Sequence, residues 1–448
     1  MQSKLRLCLG LLSAALLNSL APAQEPNSSW QSRVPAGPFH LHGMNAGLFP
    51  PGKDPNLGHS LTPGEIADRL DDLVGKADWL RFFGVGLGQD DAISQASALG
   101  FQVAAGAWLD ADQMTNDVEI QGLIGALNSG VDLAICGSEV LLRKDLSETD
   151  LIDWIRVLRD PSNNPNGIPV AYADIYQELF SHPNVIDEVD WIGVNIYPFW
   201  EGVPIEEAVR VQHHRFTAFR DWVEQRWPGK PVFLSEAGWP SDGLPGVGDS
   251  IPTPANAARF LAESQSWARN QAVSMFTFSS HDEDWKTAYE GPHGAHWGLH
   301  DNFGNLKPGM AKVFRGFTTP DTWSIPYLPG GSGTPTLIYT SVPPIGSYGL
   351  LQGEIRHADP LRHQIVTYIH VPNAGWWIKP TLDQTIHFAD RLGNWAHEYA
   401  SHPNDLNADL IHSFLFEAGY QPTLYLGSAS LDPQMSLDAV AEIQVTRP

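Results

Sequence analysis

Eight short apolar runs rich in β-forming residues alternate with longer amphipathic stretches between residues 38 and 316. Nearly continuous apolar strands that alternate with helices are typical of a parallel sheet buried on both faces. Eight such units favour a closed (β/α)8 TIM barrel over an open sheet. The runs are Phe39–Asn45, Trp79–Gly84, Phe101–Trp108, Val131–Val140, Ile168–Asp174, Val189–Tyr197, Pro231–Ala237 and Val273–Ser279.

Helix-start signals stand between several of these runs. Thr62 is followed by a proline and then, three positions after the cap, by Glu65, which is the pattern of a capping box. Ser147 is a cap of the same kind, and Pro254 precedes a third predicted helix over Ala257–Asn270. These signals support the alternation of strands and helices.

The character of the chain changes near residue 320. Thr319–Asp321 and Pro329–Pro335 have the Pro, Gly and Ser content of a linker. Short alternating runs with turn residues between them follow, without a long helix, and they predict an all-β sandwich of about 110 to 120 residues. The runs are Leu337–Val342, Gly349–His357, Gln364–Val371, Trp376–Thr381, Thr385–Ala389, Ile411–Glu417 and Val440–Thr446.

The first residues have the pattern of an export signal. Lys4 and Arg6 precede a mostly apolar run from Leu7 to Leu20, and Ala21-Pro22-Ala23 supplies a small-x-small cleavage pattern. An uncleaved anchor is the alternative. We expect a signal peptide over 1–23, the (β/α)8 barrel domain over 24–320, a linker over 321–335 and an accessory sandwich over 336–448. A secreted or periplasmic location follows from this expectation.

The charge balance limits the classes of partner. The chain has 27 Lys and Arg against 51 Asp and Glu, a formal net charge of −24, so nucleic acid and anionic membrane are disfavoured as partners. Of the two cysteines, Cys8 lies in the predicted signal, so the mature chain would hold only Cys136 and no internal disulfide. Cys136 is interpreted as a small core residue.

Two predicted strands end in a lone carboxylate. The fourth run ends in Gly137-Ser138-Glu139 and the seventh in Leu234-Ser235-Glu236. A barrel carries its reacting groups at the carboxyl ends of its strands. Two carboxylates about 5 to 5.5 Å apart there suit double displacement at a sugar carbon, with Glu236 as nucleophile and Glu139 as acid and then base. The alternative for each glutamate alone is an ordinary ion-pair partner.

The motifs around both glutamates resemble those of glycoside hydrolase family 17, the β-1,3-glucanase family. Gly137-Ser138-Glu139-Val140 with Arg143 resembles its acid/base motif, and Glu236-Ala237-Gly238-Trp239-Pro240-Ser241 resembles its nucleophile motif. Trp191–Pro198 is similar to its sixth-strand segment, and His281–Leu299 to its eighth-strand loop. The resemblance covers about residues 36–316.

The resemblance implies roles for individual residues. It implies Glu139 as proton donor, Glu236 as nucleophile and Arg81 as the group that holds the nucleophile ionised. Many members have Asn before the acid, where its amide meets the sugar 2-hydroxyl; Ser138 stands there instead and offers one donor where an amide offers two. The further substrate-binding or supporting residues that it implies are Asn195, Tyr197, Trp239, Glu283, Lys286, Glu290 and Trp297.

Aromatic and histidine side chains add further candidates. Trp108, Trp200 and Trp285 join Trp239 and Trp297 at predicted strand ends or loops, where rings can stack on sugar; the last two are favoured by the resemblance, and ordinary packing is the alternative. Trp376, Trp377 and Trp395 can form a sugar platform in the sandwich, although its core is the favoured interpretation. The 17 histidines show no metal-site spacing. No metal or other cofactor is expected.

Three functions remain open at this point. The leading interpretation is a secreted retaining hydrolase of β-1,3-glucan, with the polysaccharide or its oligosaccharides as partner. The second is a β-1,3-glucan transglycosylase that uses the same site with a sugar acceptor. The third is a glucan-binding protein that has lost turnover. The oligomeric state, the mode of chain cleavage and the tolerated linkages have no signal in the sequence.

Overall fold

A computed structural model describes residues 39–246, 248–382 and 384–448. The predicted signal peptide lies outside the described residues. No helix in the described ranges combines the length and apolar character that a membrane crossing requires.

Eight parallel strands close into a barrel in chain order, so the predicted TIM barrel is confirmed. Each strand overlaps one of the eight predicted runs. The strands are β1 (Leu41–Asn45), β2 (Ala77–Phe82), β3 (Gln102–Ala107), β4 (Leu133–Ser138), β5 (Val170–Ile175), β6 (Trp191–Asn195), β7 (Val232–Ala237) and β8 (Met275–Thr277). All eight predicted strands therefore exist, with ends that differ by a few residues.

Helices follow the strands, as the alternation predicted. They are α1 (Pro63–Asp71), α2 (Gln89–Ala98), α3 (Gln113–Ala126), α4 (Glu148–Arg159), α5 (Tyr176–Ser181), α6 (Pro183–Glu188), α7 (Ile205–Arg226), α8 (Pro254–Asn270), and the short α9 (Thr287–Glu290) and α10 (Ala311–Phe314). Thr62 and Glu65 form the predicted capping box, and Ser147 caps α4. Thr253 caps α8, which begins at Pro254, three residues before the predicted start, because proline fits the first helical position.

Small and large apolar residues fill the barrel interior. Ala104, Ala171 and Ala173 pack with the larger Phe233 and Phe276, all of them buried. Because side chains of alternate strands must fit the same layer, this mixture closes the cylinder without a pore. Because apolar side chains fill the interior, a substrate can meet polar side chains only at the rim of the barrel. Cys136 is buried and unoxidised, and burial raises the pKa of its thiol, which suits a core residue.

The C-terminal part forms two antiparallel sheets, as predicted. Its strands are β9 (Thr336–Ser341), β10 (Leu350–Arg356), β11 (His363–Val371), β12 (Gly375–Lys379), β13 (Asn394–Glu398), β14 (Leu410–Glu417), β15 (Leu426–Ser428) and β16 (Ala441–Thr446), with the short helix α11 (Gln434–Asp438). One sheet has the order β13-β10-β9 and the other β15-β12-β11-β14-β16. One buried cluster takes residues from both sheets and includes Trp395, while Trp377 packs against it.

The strand predicted over Thr385–Ala389 is wrong, and β13 and β15 were not predicted. Among the described residues, the segment 385–389 pairs through a single bridge, between His387 and Ile365. In β13 the buried positions are Trp395 and His397, and a histidine in an inward position hides the apolar alternation that marks a strand. β15 has three residues, too few for a periodic signal.

The chain divides into two compact units. Among the described residues, the first contains those up to Ile175, Asn184–Val209 and Lys230–Thr322. The second contains Tyr176–Pro183, Arg210–Gly229 and Trp323–Pro448, so it takes in α5 and most of α7 as well as the two sheets. Every candidate catalytic or supporting residue named above belongs to the first unit.

Candidate active site

Glu139 directly follows β4 at the rim of the barrel. Its backbone N–H donates to the carbonyl of Ala173 in β5, at 2.8 Å, and its φ is +54°. A residue with a side chain rarely adopts this left-handed conformation, and such residues concentrate at functional sites. The Asn195 side-chain amide, at the end of β6, donates to Glu139 Oε1 at 2.8 Å.

The surroundings of Glu139 favour its neutral form. Burial, the nearby Glu236 carboxylate and the Asp174 carboxylate raise the pKa of Glu139 to about 8, against the opposing effects of Asn195 and Arg143. A glutamic acid with this pKa carries a proton at neutral pH. It can therefore donate that proton to a leaving group.

Glu236 lies within β7 and is only 5% exposed. Its Oε1 accepts hydrogen bonds from Arg81 Nη1 at 2.7 Å and from the Ser138 hydroxyl at 3.2 Å, and its Oε2 accepts one from the Tyr197 hydroxyl at 2.7 Å. Three hydrogen-bond donors, one of them a cation, therefore surround this carboxylate. An ionised carboxylate at this place can act as a nucleophile.

Arg81, at the end of β2, ties several strand ends together. Its side chain is 1% exposed, and Nη1 donates to Asn45 Oδ1 and to the Ser235 carbonyl, both at 3.1 Å. Nη2 donates to the Ser138 hydroxyl at 3.0 Å. The Ser138 hydroxyl is thus engaged with Glu236 and with Arg81. A sugar 2-hydroxyl contact through Ser138 stays a prediction.

Asn195 connects the two glutamates. It lies opposite Glu236 in the parallel register of β6 and β7, while its side chain reaches Glu139. The Ser235 hydroxyl donates to its Oδ1 at 2.6 Å, which fixes the orientation of the amide. Asn195 therefore brings both glutamates to one part of the rim, and their catalytic roles stay predictions.

Glu283, Lys286 and Glu290 form a second polar group on the segment after β8. Lys286 Nζ pairs with Glu283 Oε2 at 2.8 Å and lies 4.3 Å from the centre of the Phe278 ring. Burial alone would lower the pKa of Lys286, but the carboxylates of Glu283 and Glu290 outweigh the effect of burial and raise this pKa. Burial raises the pKa of Glu290 to about 7 although Lys286 and the Trp297 indole N–H oppose this. The Trp297 Nε1 donates to Glu290 Oε2 at 2.8 Å.

The two tryptophans favoured as sugar contacts are almost wholly buried. Trp239 is 4% exposed, its indole N–H donates to the Ile251 carbonyl at 3.0 Å, and its ring packs against Phe199 and Phe260. Trp297 is 3% exposed and packs edge-on against Tyr197 at 5.5 Å. Stacking on sugar needs a free ring face, so the packing of Trp239 puts it behind the site. Its contact with substrate stays a prediction.

Several buried polar residues of the site were missed in the sequence. Asp174 accepts from the Tyr172 hydroxyl and from the backbone N–H groups of Leu141 and Leu142, so it holds the segment that follows Glu139. Glu119 of α3 accepts from the backbone N–H of Trp108 at 3.0 Å. Asp174 at the tip of the fifth predicted run was the one available signal. Nothing in the pattern of α3 marks Glu119 as buried.

The chain resembles known proteins over the barrel. The family model described as the BtgE/BtgC glycoside hydrolase domain matches residues 51–298, more than half of the chain. The probable glucan endo-1,3-β-glucosidase btgC of Aspergillus fumigatus is 26% identical over 258 residues, which are 52% of this chain and 37% of that protein. The glucan 1,3-β-glucosidase of Arthroderma benhamiae is 26% identical over 46% of this chain and 70% of that protein.

A solved structure is also similar to the barrel. The glycoside hydrolase family 17 β-1,3-glucanosyltransferase of Rhizomucor miehei is 29% identical, with a TM-score of 0.52, over 61% of this chain and 97% of that one. An active-site mutant of the same protein, in complex with laminaritriose, has a TM-score of 0.52 over 60% of this chain. The chain spans little more than a third of the length of the Aspergillus relatives.

Proposed function

Because the chain belongs to the family of the BtgE/BtgC glycoside hydrolase domain, we propose that it is a family 17-like glycosidase. We propose further that it acts on β-1,3-linked glucan with retention of configuration. The observation that carries the proposal is the contrast between two neighbouring carboxylates. Glu236 accepts hydrogen bonds from the Arg81 guanidinium and the Tyr197 hydroxyl, while the pKa of Glu139 is raised to about 8. Divided acid and nucleophile roles require this contrast.

In the first step, Glu236 attacks the anomeric carbon of the donor sugar. The bond from that carbon to the glycosidic oxygen breaks, and the leaving oxygen takes the proton of Glu139. The donor is now an ester of Glu236, and Glu139 is ionised. The Tyr197 hydroxyl and Arg81 support the carboxylate of Glu236 before attack and again when it leaves.

In the second step, ionised Glu139 removes a proton from an incoming hydroxyl. That oxygen bonds to the anomeric carbon, and Glu236 is released as a carboxylate. When the hydroxyl belongs to water the reaction is hydrolysis, and when it belongs to a sugar it is transfer. Glu139 ends protonated again, so the cycle consumes no co-reactant.

The substrate proposal rests on the relatives. Those from Aspergillus and Arthroderma bear glucan 1,3-β-glucosidase names, and the Rhizomucor protein was solved with laminaritriose. The charge of −24 also suits a neutral polysaccharide better than an anionic partner. We propose Glu283, Lys286, Glu290, Trp297 and Tyr197 as residues that bind or support the donor sugar.

Transglycosylation is the second candidate function. The observation that favours it is the similarity to a β-1,3-glucanosyltransferase, nearly all of which is covered by the match. An inactive glucan-binding protein is the third candidate, and it is disfavoured because both glutamates and their partners are in place.

The organisation of the chain completes the proposal. Residues 1–23 are proposed as a signal peptide that sends the protein to the periplasm or outside the cell. The barrel over 24–320 would carry the chemistry, with a linker over 321–335. The sheets over 336–448 would serve as an accessory domain.

The proposal is tested by incubating the purified protein with laminari-oligosaccharides and following the products. Shorter chains alone indicate hydrolysis, and chains longer than the donor indicate transfer. Glu236→Gln should abolish both reactions. Glu139→Gln should lower the rate of cleavage far more for substrates with a sugar leaving group than for those with an activated aryl leaving group, since only the sugar needs a proton to depart. Failure of the wild-type protein to change any β-1,3-glucan would refute the proposal.

A further inference from the structure

Trp108 is the most exposed of the tryptophans that the structure describes, at 37%. It directly follows β3 at the rim of the barrel. Because β3 pairs with β4, it lies at the strand end next to the one that carries Glu139. A large aromatic ring open to solvent at the mouth of a barrel is a contact surface without a partner inside the molecule on its open side.

Arg143 covers one face of the Trp108 ring. The guanidinium carbon lies 4.3 Å from the ring centre, within the range of a cation–π contact. The same guanidinium donates to the backbone carbonyl of Ser138 and, at 2.7 Å, to that of Leu109, and its Nε donates to Asp145 at 2.6 Å. Arg143 is therefore fixed, and it leaves only the opposite face of the ring for a ligand.

Glu119 fixes the backbone beneath the ring. This buried carboxylate of α3 accepts from the N–H of Trp108 and from those of Val85 and Gly86, each at 3.0 Å. A Cβ on Gly86 would lie 2.8 Å from Glu119 Oε1, so glycine permits this close approach. Three hydrogen bonds to one carboxylate join the loops after β2 and β3. Trp108 is thus presented on a rigid base.

The position of Trp108 relative to the two glutamates indicates on which side of the cleaved bond its ring lies. The residues proposed around the donor sugar follow β6 and β8, on either side of β7 and Glu236. In the closed ring of strands, Trp108 follows β3, which lies next to β4 and Glu139 and opposite β7 and Glu236. Since Glu139 protonates the leaving oxygen, the sugar attached to that oxygen extends away from Glu236, toward β3.

We propose that the open face of Trp108 binds the sugar on the leaving-group side of the cleaved bond, as a stacking platform held by Arg143 and Glu119. This inference rests on the proposed function and assigns the site an acceptor-side subsite for a neutral sugar ring. An incoming sugar hydroxyl in the second step occupies the same place, so Trp108 also selects the acceptor in transfer.

The test compares two donors with the same donor sugars and different leaving groups. One is a laminari-oligosaccharide, whose leaving group is a sugar, and the other is an aryl β-laminaribioside. The readout is the ratio of their kcat/KM values within each variant, which cancels any loss common to both. Trp108→Ala should lower this ratio roughly tenfold, the change that about 1.4 kcal/mol of lost contact gives. Trp108→Phe should keep most of it.

Phe303→Ala is the matched control. Phe303 is another exposed ring, on the segment after β8, and its loss should leave the ratio unchanged. An unchanged ratio in Trp108→Ala, with thermal unfolding like that of the wild type, would overturn the inference. A wild-type protein that cleaves neither donor would refute the proposed function, and the inference would fall with it.

Discussion

Asn195 donates its side-chain amide to Oε1 of Glu139 at 2.8 Å, while its own Oδ1 accepts the Ser235 hydroxyl at 2.6 Å. The second bond sets which end of the amide faces Glu139. Oε1 of Glu139 is therefore an acceptor, and the proton of the neutral acid is left on Oε2. In the proposed reaction, Oε2 of Glu139 is therefore the oxygen that delivers the proton.

Asn195→Ala should move the alkaline limb of the kcat/KM profile to higher pH. The amide lowers the pKa of Glu139, so its removal raises that pKa above about 8, and the acid stays protonated to higher pH. We expect a shift of roughly half a unit to one unit, which corresponds to the net free energy of a typical lost hydrogen bond. The measurement is kcat/KM for a laminari-oligosaccharide from pH 5 to about 10. A shift to lower pH would contradict the role given to Asn195.

Asp174→Asn should move the same limb the other way. The Asp174 carboxylate raises the pKa of Glu139 by like-charge repulsion, so a neutral amide of similar shape lowers it. We expect a shift of about half a unit toward acid, together with lower stability, because the amide cannot accept from all the backbone N–H groups that Asp174 holds. Double-variant profiles of Asp174→Asn with Asn195→Ala should then lie near the wild type.

Arg81→Met should impair both turnover and folding. The substitution leaves the buried Glu236 carboxylate without its cation and removes hydrogen bonds to Asn45 and Ser138. We expect kcat to fall at least about a hundredfold and the free energy of unfolding to fall by about 3 kcal/mol. Kinetics and urea denaturation measure the two effects. Arg81→Lys keeps the charge and separates its contribution from that of the hydrogen bonds; a fully active Arg81→Met would disprove this account.

His397 should make the protein sensitive to acid. Burial lowers the pKa of His397 to about 4, and its ring nitrogens lie 2.9 Å from Thr367 Oγ1 and from the Glu398 carbonyl. The unfolded chain takes up the proton more readily, so this stability is complete above about pH 6.5 and is lost as the pH falls toward 4. The loss is up to about 3 kcal/mol. Burial also lowers the pKa of the stacked His387.

His397→Gln tests this prediction. The free energy of unfolding is measured by urea denaturation at several pH values between 7 and about 4. The wild type should lose stability more steeply on acidification than the variant, whatever their difference at pH 7. Parallel curves would show that the proton uptake lies elsewhere.

The barrel could be predicted because its evidence is local. Each strand is a continuous apolar run, and residues such as Thr62 and Ser147 mark helix starts through contacts with their own neighbours. The two candidate glutamates could be proposed for the same reason, since Glu139 and Glu236 end such runs. The family 17 resemblance of these motifs is confirmed by the family match and the Rhizomucor structure.

What escaped prediction depends on contacts between distant parts of the chain. Glu119 lies on a helix with no sign of burial, yet it is buried because loops after two strands converge on it. The packing of Trp239 against Phe199 and Phe260 also had no signal in the sequence, and its contact with sugar stays a prediction. The second compact unit includes α5 and most of α7, a grouping without local signature.

The left-handed backbone conformation of Glu139 lowers the stability of the fold at a residue that the proposed proton transfer requires. Holding a residue with a Cβ at φ +54° costs about 1 to 3 kcal/mol, and glycine would be free of that penalty. A Glu139→Gly chain would thus gain heat tolerance at the moment it became inert. Selection for thermal stability alone would therefore favour loss of activity at this position. Residue 139 should be left unvaried when variants of the barrel are made to increase its stability.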